Sequence, residues 1–466
     1  MWCSAVPQTK EEFAIMGRLF GTDGVRGIAN RELTCELAFG IGRAAASVLA
    51  RGSRRRPIFV IGTDTRASSD MLSAAITAGL CSVGADVMLL GVVPTPAVAF
   101  LVGKYKADAG VMISASHNPA EYNGIKIFSG DGYKLPDALE EQIEAIVLDH
   151  ICVPDAPIGG EIGRVSVCAD AVADYVEHLE RTVPYSLDGL HIAVDCANGS
   201  ASMTAEKLFI ELGAECHFLS NHPDGVNINQ NCGSTHIEAL RQFVLTHHLD
   251  AGVAFDGDAD RCLCIDDEGN LIDGDFIMAI CGADMAERGK LPRKMLVGTI
   301  MTNFGFSKFC EANGLNFVAT KVGDRFVLEQ MLQDGYALGG EQSGHIIFRD
   351  FATTGDGQLT AIQLLCLMRR KQTKLSELAK IMTRYPQSMI NLHVSPEGKL
   401  QYYTNKTIKA AVEAAKQTLG DDGRIVVRPS GTEPLIRVMT EGSDPHKIEQ
   451  VARDVASVIE QELGKL

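Results

Sequence analysis

The sequence predicts an α/β fold made of three similar domains, followed by a smaller α+β domain at the C-terminus. Short apolar runs rich in β-branched residues alternate with longer helical patterns, which is typical of parallel α/β units. The same layout of two apolar runs, each ending in small or polar residues, occurs three times along the chain. The chain has 466 residues, of which 46% are hydrophobic, enough for about three or four domains of roughly 100–200 residues each.

The first repeat contains two predicted strands that run into polar loops. The apolar run 59–62 leads into the polar segment 63–66, and a helix is predicted over 71–83. Further along, the apolar run 110–113 leads into the polar segment 114–119. In open α/β sheets ligands bind at the carboxyl ends of the strands, so both polar segments are candidates for a binding site.

The second and third repeats follow the same layout. Predicted strands at 192–194 and 252–255 form the second repeat, and those at 295–297 and 336–338 form the third. Each of these strands is followed by small or polar residues. Similarity of pattern is weaker support for a repeat than identity of sequence, so the repeat is a prediction about topology.

The C-terminal part has a different pattern, which predicts a small α+β domain. It contains a helical stretch over 407–419, strands over 424–428 and 435–439, and a last helix from Pro445. We therefore expect domains over 16–160, 161–268, 269–382 and 383–466, with residues 1–15 as a disordered extension. The polar loops of the four domains are expected to converge on one cleft.

The composition argues against several classes of protein. The formal net charge of −16 is spread along the chain without acidic blocks, which argues against nucleic acid as a partner. The one basic run, 51–56, is expected to cover a surface loop. The thirteen cysteines are scattered and form no Cys-x-x-Cys pair, so we expect reduced thiols in the core and no zinc or redox site.

No segment is predicted to enter a membrane. Lys10, Glu11 and Glu12 lie where a signal peptide would need an unbroken apolar run. No apolar run approaches the roughly 20 residues of a transmembrane helix. We therefore expect a cytoplasmic protein without a membrane partner.

The motif Asp256-Gly-Asp-Ala-Asp-Arg follows an apolar run and predicts a metal site. In extended backbone, residues two apart project to the same side, so the carboxylates of Asp256, Asp258 and Asp260 can face one point. An oxygen-rich cluster of this kind suits Mg²⁺ or Ca²⁺. An EF-hand is disfavoured because Arg261 and Asp267 occupy the positions where that loop needs glycine and glutamate. An aspartyl-phosphate phosphatase with Asp256 as nucleophile and a solvated acidic turn stay open as alternatives.

Ser116 lies in the motif Ile113-Ser-Ala-Ser-His-Asn-Pro, directly after an apolar run, and is a candidate nucleophile. His117 stands beside it, and the Asn-Pro pair behind it favours a turn. Taken alone, such a segment is more often a turn than a nucleophile site. The chain contains neither a Walker lysine motif nor a G-x-S-x-G motif, which argues against a P-loop and against an ordinary serine hydrolase.

Two further loops offer groups that suit a sugar phosphate. In Arg428-Pro-Ser-Gly-Thr-Glu-Pro, followed by Arg437, a turn of small residues lies between arginines, so N–H groups, hydroxyls and a guanidinium can surround one phosphate. The loop Gly340-Glu-Gln-Ser-Gly-His supplies a carboxylate, a hydroxyl and an imidazole for sugar hydroxyl or amino groups. Considered singly, the first loop has a plain turn between strands as its alternative, and the second can equally be a structural loop.

These four loops occur together and in order, and in this the chain resembles the α-D-phosphohexomutase superfamily from about Met16 to its end. The resemblance implies a phosphoserine loop at 114–119, a metal loop at 256–261, a sugar loop at 340–345 and a phosphate loop at 428–432. It also implies mixed sheets in the three α/β domains, which surround one central cleft with the C-terminal domain. The opening Leu19-Phe-Gly-Thr-Asp-Gly-Val-Arg-Gly and the Ser-Ala-Ser form of the phosphoserine loop look like the branch that acts on glucosamine phosphates.

The resemblance further implies an intramolecular phosphotransferase of the isomerase class. Phospho-Ser116 would interconvert glucosamine 6-phosphate and glucosamine 1-phosphate through glucosamine 1,6-bisphosphate, toward UDP-N-acetylglucosamine and peptidoglycan precursors. One Mg²⁺ would be held by Ser116, Asp256, Asp258 and Asp260. A phosphoglucomutase or phosphomannomutase of the same superfamily is the alternative, followed by a non-catalytic sugar-phosphate binding protein.

The remaining site residues also follow from the resemblance. Arg26, His117 and Lys126 are expected near the transferred phosphoryl group, and the identity of the general base is left open between them and His345. Contacts to the substrate are expected from Lys321, Asp324, Arg325, Glu341, Ser343, His345, Arg428, Ser430, Gly431, Thr432 and Arg437. Ala259 replaces the glycine usual in the metal loop of this branch, and its methyl group is expected to bend the turn without removing a ligand. The expected partners are sugar phosphates and, in a homodimer, a second copy of the chain.

Overall fold

The computed structural model describes residues 18–21, 23–49, 55–149, 151, 156–430 and 434–464. The extension expected over 1–15 and most of the basic run 51–56 lie outside these residues. The eleven cysteines of the described residues are all free thiols, and most are buried, as expected. A search of the described residues for a helix long and apolar enough to cross a membrane finds none.

The first domain contains a six-stranded sheet with helices packed on it. Its elements are β1 (Val25–Ile28), α1 (Cys35–Leu49), β2 (Ile58–Thr63), α2 (Ala67–Cys81), β3 (Asp86–Val92), α3 (Thr95–Lys104), β4 (Ala109–Ile113), β5 (Tyr122–Ser129), α4 (Asp137–Leu148) and β6 (Val165–Val167). The spatial order is β1-β5-β4-β2-β3-β6, in which β5 runs antiparallel to both neighbours and the other pairs are parallel. The strands predicted at 59–62 and 110–113 lie inside β2 and β4.

The second domain contains a five-stranded sheet. Its elements are α5 (Ala171–Glu180), β7 (His191–Asp195), α6 (Ala205–Glu211), β8 (Glu215–Leu219), α7 (Glu238–His247), β9 (Ala251–Phe255), β10 (Cys262–Asp266) and β11 (Leu271–Ile272). The spatial order is β11-β10-β9-β7-β8, with β7 parallel to β8 and β9, and β10 antiparallel to its neighbours. The strands predicted at 192–194 and 252–255 lie inside β7 and β9.

The third domain contains a four-stranded sheet. Its elements are α8 (Gly274–Glu287), β12 (Met295–Thr299), α9 (Phe304–Ala312), β13 (Asn316–Thr320), α10 (Asp324–Asp334), β14 (Leu338–Gly340), β15 (Ile346–Phe348), α11 (Gly357–Lys371) and α12 (Leu375–Ala379). The strand predicted at 336–338 begins later, at Leu338. Tyr336 instead closes the end of α10, where its N–H donates to Met331 O over 2.9 Å behind Gly335 at φ 74°.

The three sheets share one arrangement of four strands. In the orders β3-β2-β4-β5, β8-β7-β9-β10 and β13-β12-β14-β15, the first two pairs are parallel and the last pair is antiparallel. The polar loops lie after β4, β9 and β14, at equivalent carboxyl ends. This topology confirms the predicted repeat and the mixed α/β fold.

The C-terminal domain is built around a core of its own. Its elements are β16 (Gln387–His393), α13 (Pro396–Tyr402), α14 (Lys406–Leu419), β17 (Gly423–Pro429), β18 (Leu435–Gly442) and α15 (Pro445–Leu463). The antiparallel order is β16-β18-β17, and the two long helices pack on this sheet. Its buried cluster, which includes Leu392, Ile436 and Ile459, is separate from the continuous core that joins the first three domains. The smaller α+β domain predicted from the sequence is therefore confirmed.

Candidate active site

Ser116 lies on the loop after β4 with its hydroxyl directed at the metal loop. Its φ of 52° is in the left-handed region, and the residue is 1% exposed. The Ser116 hydroxyl donates to Oδ2 of Asp256 over 2.6 Å, and Ser116 Oγ lies 3.3 Å from His117 Nδ1. A serine with this backbone conformation is uncommon, and such conformations concentrate at functional sites. The geometry therefore favours a reactive serine over a plain turn.

A buried ion pair holds the backbone of the phosphoserine loop. Arg66 Nε donates to Asp64 Oδ2 over 2.8 Å, and both side chains are fully buried. The Arg66 guanidinium also donates to the carbonyls of Ser116 at 3.0 Å and Asn118 at 2.8 Å. Asp64 Oδ2 accepts from the hydroxyl of Ser114 over 2.6 Å. These contacts position the loop within the protein itself, before a substrate is bound.

The aspartates of the metal loop form a buried cluster after β9. One carboxylate oxygen from each of Asp256, Asp258 and Asp260 lies within 4.8 Å of the others, and each residue is at most 4% exposed. The Oδ1 atoms of Asp258 and Asp260 are buried without a hydrogen-bond partner among the described residues. Buried carboxylate oxygens are costly without a partner, and an all-oxygen set suits a hard cation. The three residues therefore fit a divalent metal ion.

Ala259 and Gly257 shape the turn that carries these ligands. Ala259 has a φ of 56°, in the region that favours glycine, and its methyl group leaves the three carboxylates clustered. At Gly257 a Cβ atom would lie 2.5 Å from Ser116 O. The metal loop and the phosphoserine loop thus touch at a position where only glycine fits.

Lys126, on β5, is the counter-ion of the acidic cluster. Its ammonium lies 2.8 Å from Asp258 Oδ2, 3.1 Å from Asp23 Oδ2 and 3.4 Å from Asp260 Oδ2. Burial alone would lower the pKa of Lys126, but these carboxylates raise it well above its usual value. Burial would raise the pKa of Asp258, but Lys126 holds it below its usual range. The pKa of Asp256 is raised well above its usual value by burial and by the two neighbouring aspartates. Lys126 is therefore a cation in this arrangement.

His117 is neutral at this site. Burial and the charges of Arg261 and Arg26 lower the pKa of His117 to about 4. Arg261 Nη1 lies 3.2 Å from His117 Nδ1, and an arginine can only donate, so this ring nitrogen is an acceptor. His117 therefore has the protonation state that a base beside Ser116 Oγ requires.

A cavity of about 740 Å³ opens beside the metal loop, between loops of the first three domains. Its volume lies in the range of small-molecule sites. Among the described residues, the C-terminal domain contributes none of its lining. The predicted site residues that line it are Arg26, Asp260, Asp324, Glu341, Ser343 and His345.

A chain of charged side chains includes four residues that line this cavity, Asp23, Arg26, Asp324 and His345. Lys134 Nζ lies 2.6 Å from Asp23 Oδ1 and also pairs with Asp324, and Arg26 pairs with Asp23. His345 Nε2 lies 3.4 Å from Asp324 Oδ2. Burial would raise the pKa of Asp324, but Lys134 and His345 bring it below its usual value. Lys134 thus fixes Asp324 at the cavity, and the N–H of Gly355, which donates to His345 Nε2 over 3.2 Å, orients the His345 ring.

Glu341 joins two loops of the third domain. Its Oε1 accepts from the N–H of Gly323 over 3.1 Å. Burial raises the pKa of the Glu341 carboxyl. The sugar loop and the segment before α10 are therefore held together at the cavity.

Two predicted substrate contacts lie elsewhere. Lys321 is exposed, and its ammonium lies 6.0 Å from the centre of the Phe326 ring. Arg325 pairs with Asp137 and, over 3.0 Å, with Glu329. Neither side chain lines the cavity.

The phosphate loop presents two neighbouring arginines. Arg428 on β17 and Arg437 on β18 are partners in the antiparallel register. Burial and the charge of Arg437 lower the pKa of Arg428. Ser430 is buried and its N–H donates to Leu435 O over 2.8 Å, whereas Gly431 and Thr432 lie outside the described residues. Two adjacent cations of this kind favour the binding of an anion.

Several residues that support the site are not predictable from the sequence patterns around them. Asp64 and Arg66 stand in the polar segment after a predicted strand, which is the only signal that pointed to them. Asp23 and Lys134 belong to the charge chain, and Asn229 donates to Ser116 O over 2.9 Å. Asn229 is 113 positions away from Ser116, so no local pattern could reveal this contact.

The chain matches models of all four domains of one protein family. These models are described as phosphoglucomutase/phosphomannomutase α/β/α domain I at residues 17–150, domain II at 173–269, domain III at 273–385 and C-terminal domain at 389–458. The matches cover most of the chain in the order of the family.

Individual known proteins of this family are similar to the chain over nearly its whole length. A phosphoglucosamine mutase of Clostridium novyi is 52% identical over 446 residues, which are 96% of this chain and 99% of that protein. One of Acetivibrio thermocellus is 52% identical over 449 residues, 96% of this chain and 100% of that protein. A Burkholderia thailandensis phosphoglucomutase/phosphomannomutase family protein has the same fold, with a TM-score of 0.81, 23% identity and coverage of 96% and 98%. So has the Aspergillus fumigatus N-acetylphosphoglucosamine mutase solved with GlcNAc-6P and magnesium, with a TM-score of 0.67, 16% identity and 96% of each chain covered. The chain therefore belongs to the phosphoglucomutase/phosphomannomutase family of the phosphohexomutase superfamily, in the group of the phosphoglucosamine mutases.

Proposed function

We propose that this protein interconverts glucosamine 6-phosphate and glucosamine 1-phosphate through phospho-Ser116. The observation that carries the proposal is the contact of the Ser116 hydroxyl with Asp256, over 2.6 Å, at a buried all-oxygen cluster. The relatives that are 52% identical over nearly the whole chain are phosphoglucosamine mutases, which favours glucosamine phosphates over other hexose phosphates.

The proposed reaction has two phosphoryl transfers. In the first transfer the bond from phosphorus to Ser116 Oγ breaks as a bond to the free 1- or 6-oxygen of the substrate forms. The proton of that sugar hydroxyl is taken up by Ser116 Oγ, so that glucosamine 1,6-bisphosphate and a free serine hydroxyl result. The bisphosphate then reorients in the cleft so that its original phosphate faces Ser116. Ser116 Oγ attacks this phosphate as the proton of the Ser116 hydroxyl leaves. The Ser116 hydroxyl proton is directed at Asp256 Oδ2 over 2.6 Å, and His117 Nδ1, 3.3 Å from Ser116 Oγ, becomes a second acceptor for it once its contact with Arg261 is released. The products are the isomeric monophosphate and restored phospho-Ser116.

We propose Mg²⁺ as the metal of Asp256, Asp258 and Asp260, with a phosphoryl oxygen on Ser116 as a further ligand. A bound Mg²⁺ neutralises charge on the phosphoryl group. Arg26 and Lys126 bring fixed positive charge to the same place, and preorganised charges of this kind stabilise the transition state without reorganisation. Lys126 is assigned to charge stabilisation because its three carboxylate neighbours keep it protonated.

The substrate is proposed to lie in the cavity between the sugar loop and the metal loop. Glu341, Ser343 and His345 are positioned to bind the hydroxyl and amino groups of the ring, and the Gly355 N–H orients His345 through its Nε2 over 3.2 Å. The phosphate loop, with Arg428, Ser430, Gly431, Thr432 and Arg437, is proposed to bind the phosphate that does not react. Lys321 and Arg325 would reach the substrate only after a movement of the segment before α10 and of the first turn of that helix.

We further propose that the protein is a cytoplasmic homodimer. Charged sugar phosphates do not cross a hydrocarbon layer unaided, so the enzyme is expected where they are made. β6 is an edge strand, and an antiparallel pairing of two copies would extend the sheet by its own symmetry. Exposed apolar residues lie on this strand and just before it: Ile158, Ile162, Val165 and Val167. Light scattering of the native chain and of a Val167→Asp variant tests this state.

A coupled assay of glucosamine, glucose and mannose monophosphates on one preparation tests the substrate. The highest kcat/KM is expected for glucosamine phosphates, and intact-mass measurement should find one phosphate, on Ser116. A preference for glucose or mannose phosphates would assign the chain to another branch, and binding of all three without turnover would leave only a sugar-phosphate binding protein.

A further inference from the structure

A buried carboxylate joins the C-terminal domain to the third domain. Glu441 lies on β18 and its side chain is completely buried. It accepts from Arg424 Nε on the neighbouring strand and from Gln387 Nε2 over 3.2 Å. From the third domain it accepts from Asn303 Nδ2 over 3.1 Å and from the Phe304 N–H over 3.2 Å. Four donors around one buried charge form a strong and specific junction.

Asn303 holds the third-domain side of this junction. Its Oδ1 accepts from the N–H of Gly305, which caps α9, and from the N–H of Tyr385 in the connection between the domains, each over 3.0 Å. Its Nδ2 also donates to Tyr385 O over 3.1 Å, and its own N–H donates to Asp275 Oδ2 over 2.8 Å. Asn303 thus ties α8, α9 and the connection to Glu441.

The same set of hydrogen bonds leads back to the sugar loop. Asp275 lies in the first turn of α8, just after the N-cap residue Asp273. Asp273 accepts from the side chain of Gln342, and the N–H of Gly274 donates to Gln342 O over 3.1 Å. Arg384 of the connection pairs with Asp273 over 2.8 Å. A continuous path of contacts therefore joins Gln342, next to Glu341 in the cavity wall, to Glu441.

The strands that carry the junction also carry the phosphate loop. Arg424 faces Glu441 in the register of β17 and β18, and Arg428 faces Arg437 four residues further along. Four residues of strand span about 13 Å, so a rotation of about 10° around the junction would move Arg428 by about 2 Å. A displacement of this size is enough to make or break a hydrogen bond from Arg428 to a bound phosphate. The separate core of the C-terminal domain allows such a movement as one body.

We propose that Glu441 is a positioning residue, the pivot on which the C-terminal domain brings its phosphate loop to the cleft. The path through Asn303 and Asp275 to Gln342 couples this movement to the sugar loop. Glu441 does not touch the substrate and acts through the placement of Arg428. The role in phosphate binding rests on the proposed mutase function, whereas the pivot itself is a property of the domain junction.

Two variants break the junction from opposite sides. Glu441→Ala removes the acceptor. Asn303→Asp is isosteric and keeps the Oδ1 that caps α9, but it replaces the donor with a carboxylate oxygen about 3.1 Å from Glu441. Glu449→Ala is the matched control, because Glu449 forms an exposed ion pair with Arg453 on α15 of the same domain. Glu441→Gln, which keeps one acceptor oxygen, is expected to give intermediate behaviour.

Hydrogen exchange and kinetics are measured on all four variants. We expect faster exchange at the amides of Phe304 and Tyr385 in Glu441→Ala and Asn303→Asp, with the core of the C-terminal domain still protected. KM for both glucosamine monophosphates should rise roughly tenfold, as for a binding-competent position populated one-tenth of the time, while kcat changes less than about twofold. Glu449→Ala should match the unaltered protein.

The outcomes separate the pivot from the proposed function. Exchange needs no turnover, so it reports on the junction even if the substrate is another sugar phosphate. If Asn303→Asp left both the exchange at these two amides and KM unchanged, the pivot would be overturned. A tenfold loss of kcat with KM unaltered in the same variant would overturn it as well. If Glu441→Ala unfolds its domain, Asn303→Asp decides alone, because it leaves the C-terminal domain unaltered.

Discussion

Replacement of Lys126 by methionine should strengthen metal binding while it lowers activity. The ammonium of Lys126 lies 2.8 Å from Asp258 Oδ2 and 3.4 Å from Asp260 Oδ2, and the residue is 2% exposed. A divalent ion at the acidic cluster must share these oxygens with a buried cation of the same sign. Methionine keeps a side chain of similar length and removes the charge.

The size of the effect follows from the distances. Two unit charges 2.8 Å apart interact by about 6 kcal/mol at an effective dielectric constant of about 20, and loss of one partner of a buried pair costs about 3–5 kcal/mol net. Loss of the Lys126 charge removes its repulsion of the metal ion. If about 1.4 kcal/mol of the pair energy is recovered in this way, Mg²⁺ binds about tenfold more tightly. The kcat should fall by about 100-fold or more, because Lys126 also stabilises the transferred phosphoryl group.

Calorimetric titration of Mg²⁺ into the dephosphorylated protein measures the first effect, and the mutase assay measures the second. Lys134→Met is the matched control: Lys134 is a partly buried lysine in the same network of charges, 2.6 Å from Asp23 Oδ1, and pairs with Asp324 instead of the metal ligands. Its Mg²⁺ affinity should be close to that of the unaltered protein. Equal or weaker Mg²⁺ binding by Lys126→Met would refute the reasoning.

Four further substitutions test the other assigned roles. Ser116→Ala should abolish turnover and the phosphate seen by intact mass, since the carrier is lost; full activity in this variant would exclude Ser116 as carrier. Asp258→Asn should raise the Mg²⁺ concentration needed for half-maximal activity, opposite in sign to Lys126→Met, and an unchanged requirement would remove Asp258 from the metal site. Arg428→Ala should raise KM for both monophosphates, at a cost of about 1.5–3 kcal/mol for a lost charge-assisted hydrogen bond. A rise for one substrate only would show that the loop serves one pose. Glu341→Ala should lower the preference for glucosamine over glucose phosphates in kcat/KM, and an unchanged preference would place the selectivity elsewhere.

The fold was largely predictable because each repeat shows local patterns of apolar and polar residues that are typical of strands and helices. The strands predicted at 59–62, 110–113, 192–194 and 252–255 all lie within observed strands, and the last helix begins at Pro445 as predicted. The strand predicted at 336–338 begins only at Leu338, because the N–H of Tyr336 is hydrogen-bonded to the end of α10 behind the C-cap residue Gly335. The domain limits at residues 160, 268 and 382 stay predictions.

The candidate site was predictable where its groups lie close together in sequence. Asp256, Asp258 and Asp260 alternate after a strand, and the structure brings their oxygens within 4.8 Å of one another. Ser116 was identified from its motif, but its contact with Asp256 spans 140 positions. Arg325 belonged to the same predicted set as Glu341, yet it pairs with Asp137 of α4, because the fold places that carboxylate beside it.

The sequence by itself determined the α/β repeat, the separate C-terminal domain, the oxygen-rich metal motif and the candidate serine. Each of these depends on periodicity or on groups a few residues apart, which the chain carries wherever it folds. Only the tertiary structure decided the charges of the site: Lys126 is surrounded by Asp23, Asp258 and Asp260, and His117 is neutral beside Arg261. It also decided the junction at Glu441, whose partners come from two domains. Protonation states and domain junctions depend on burial and on charges brought together from distant parts of the chain, and these exist only once the domains have packed.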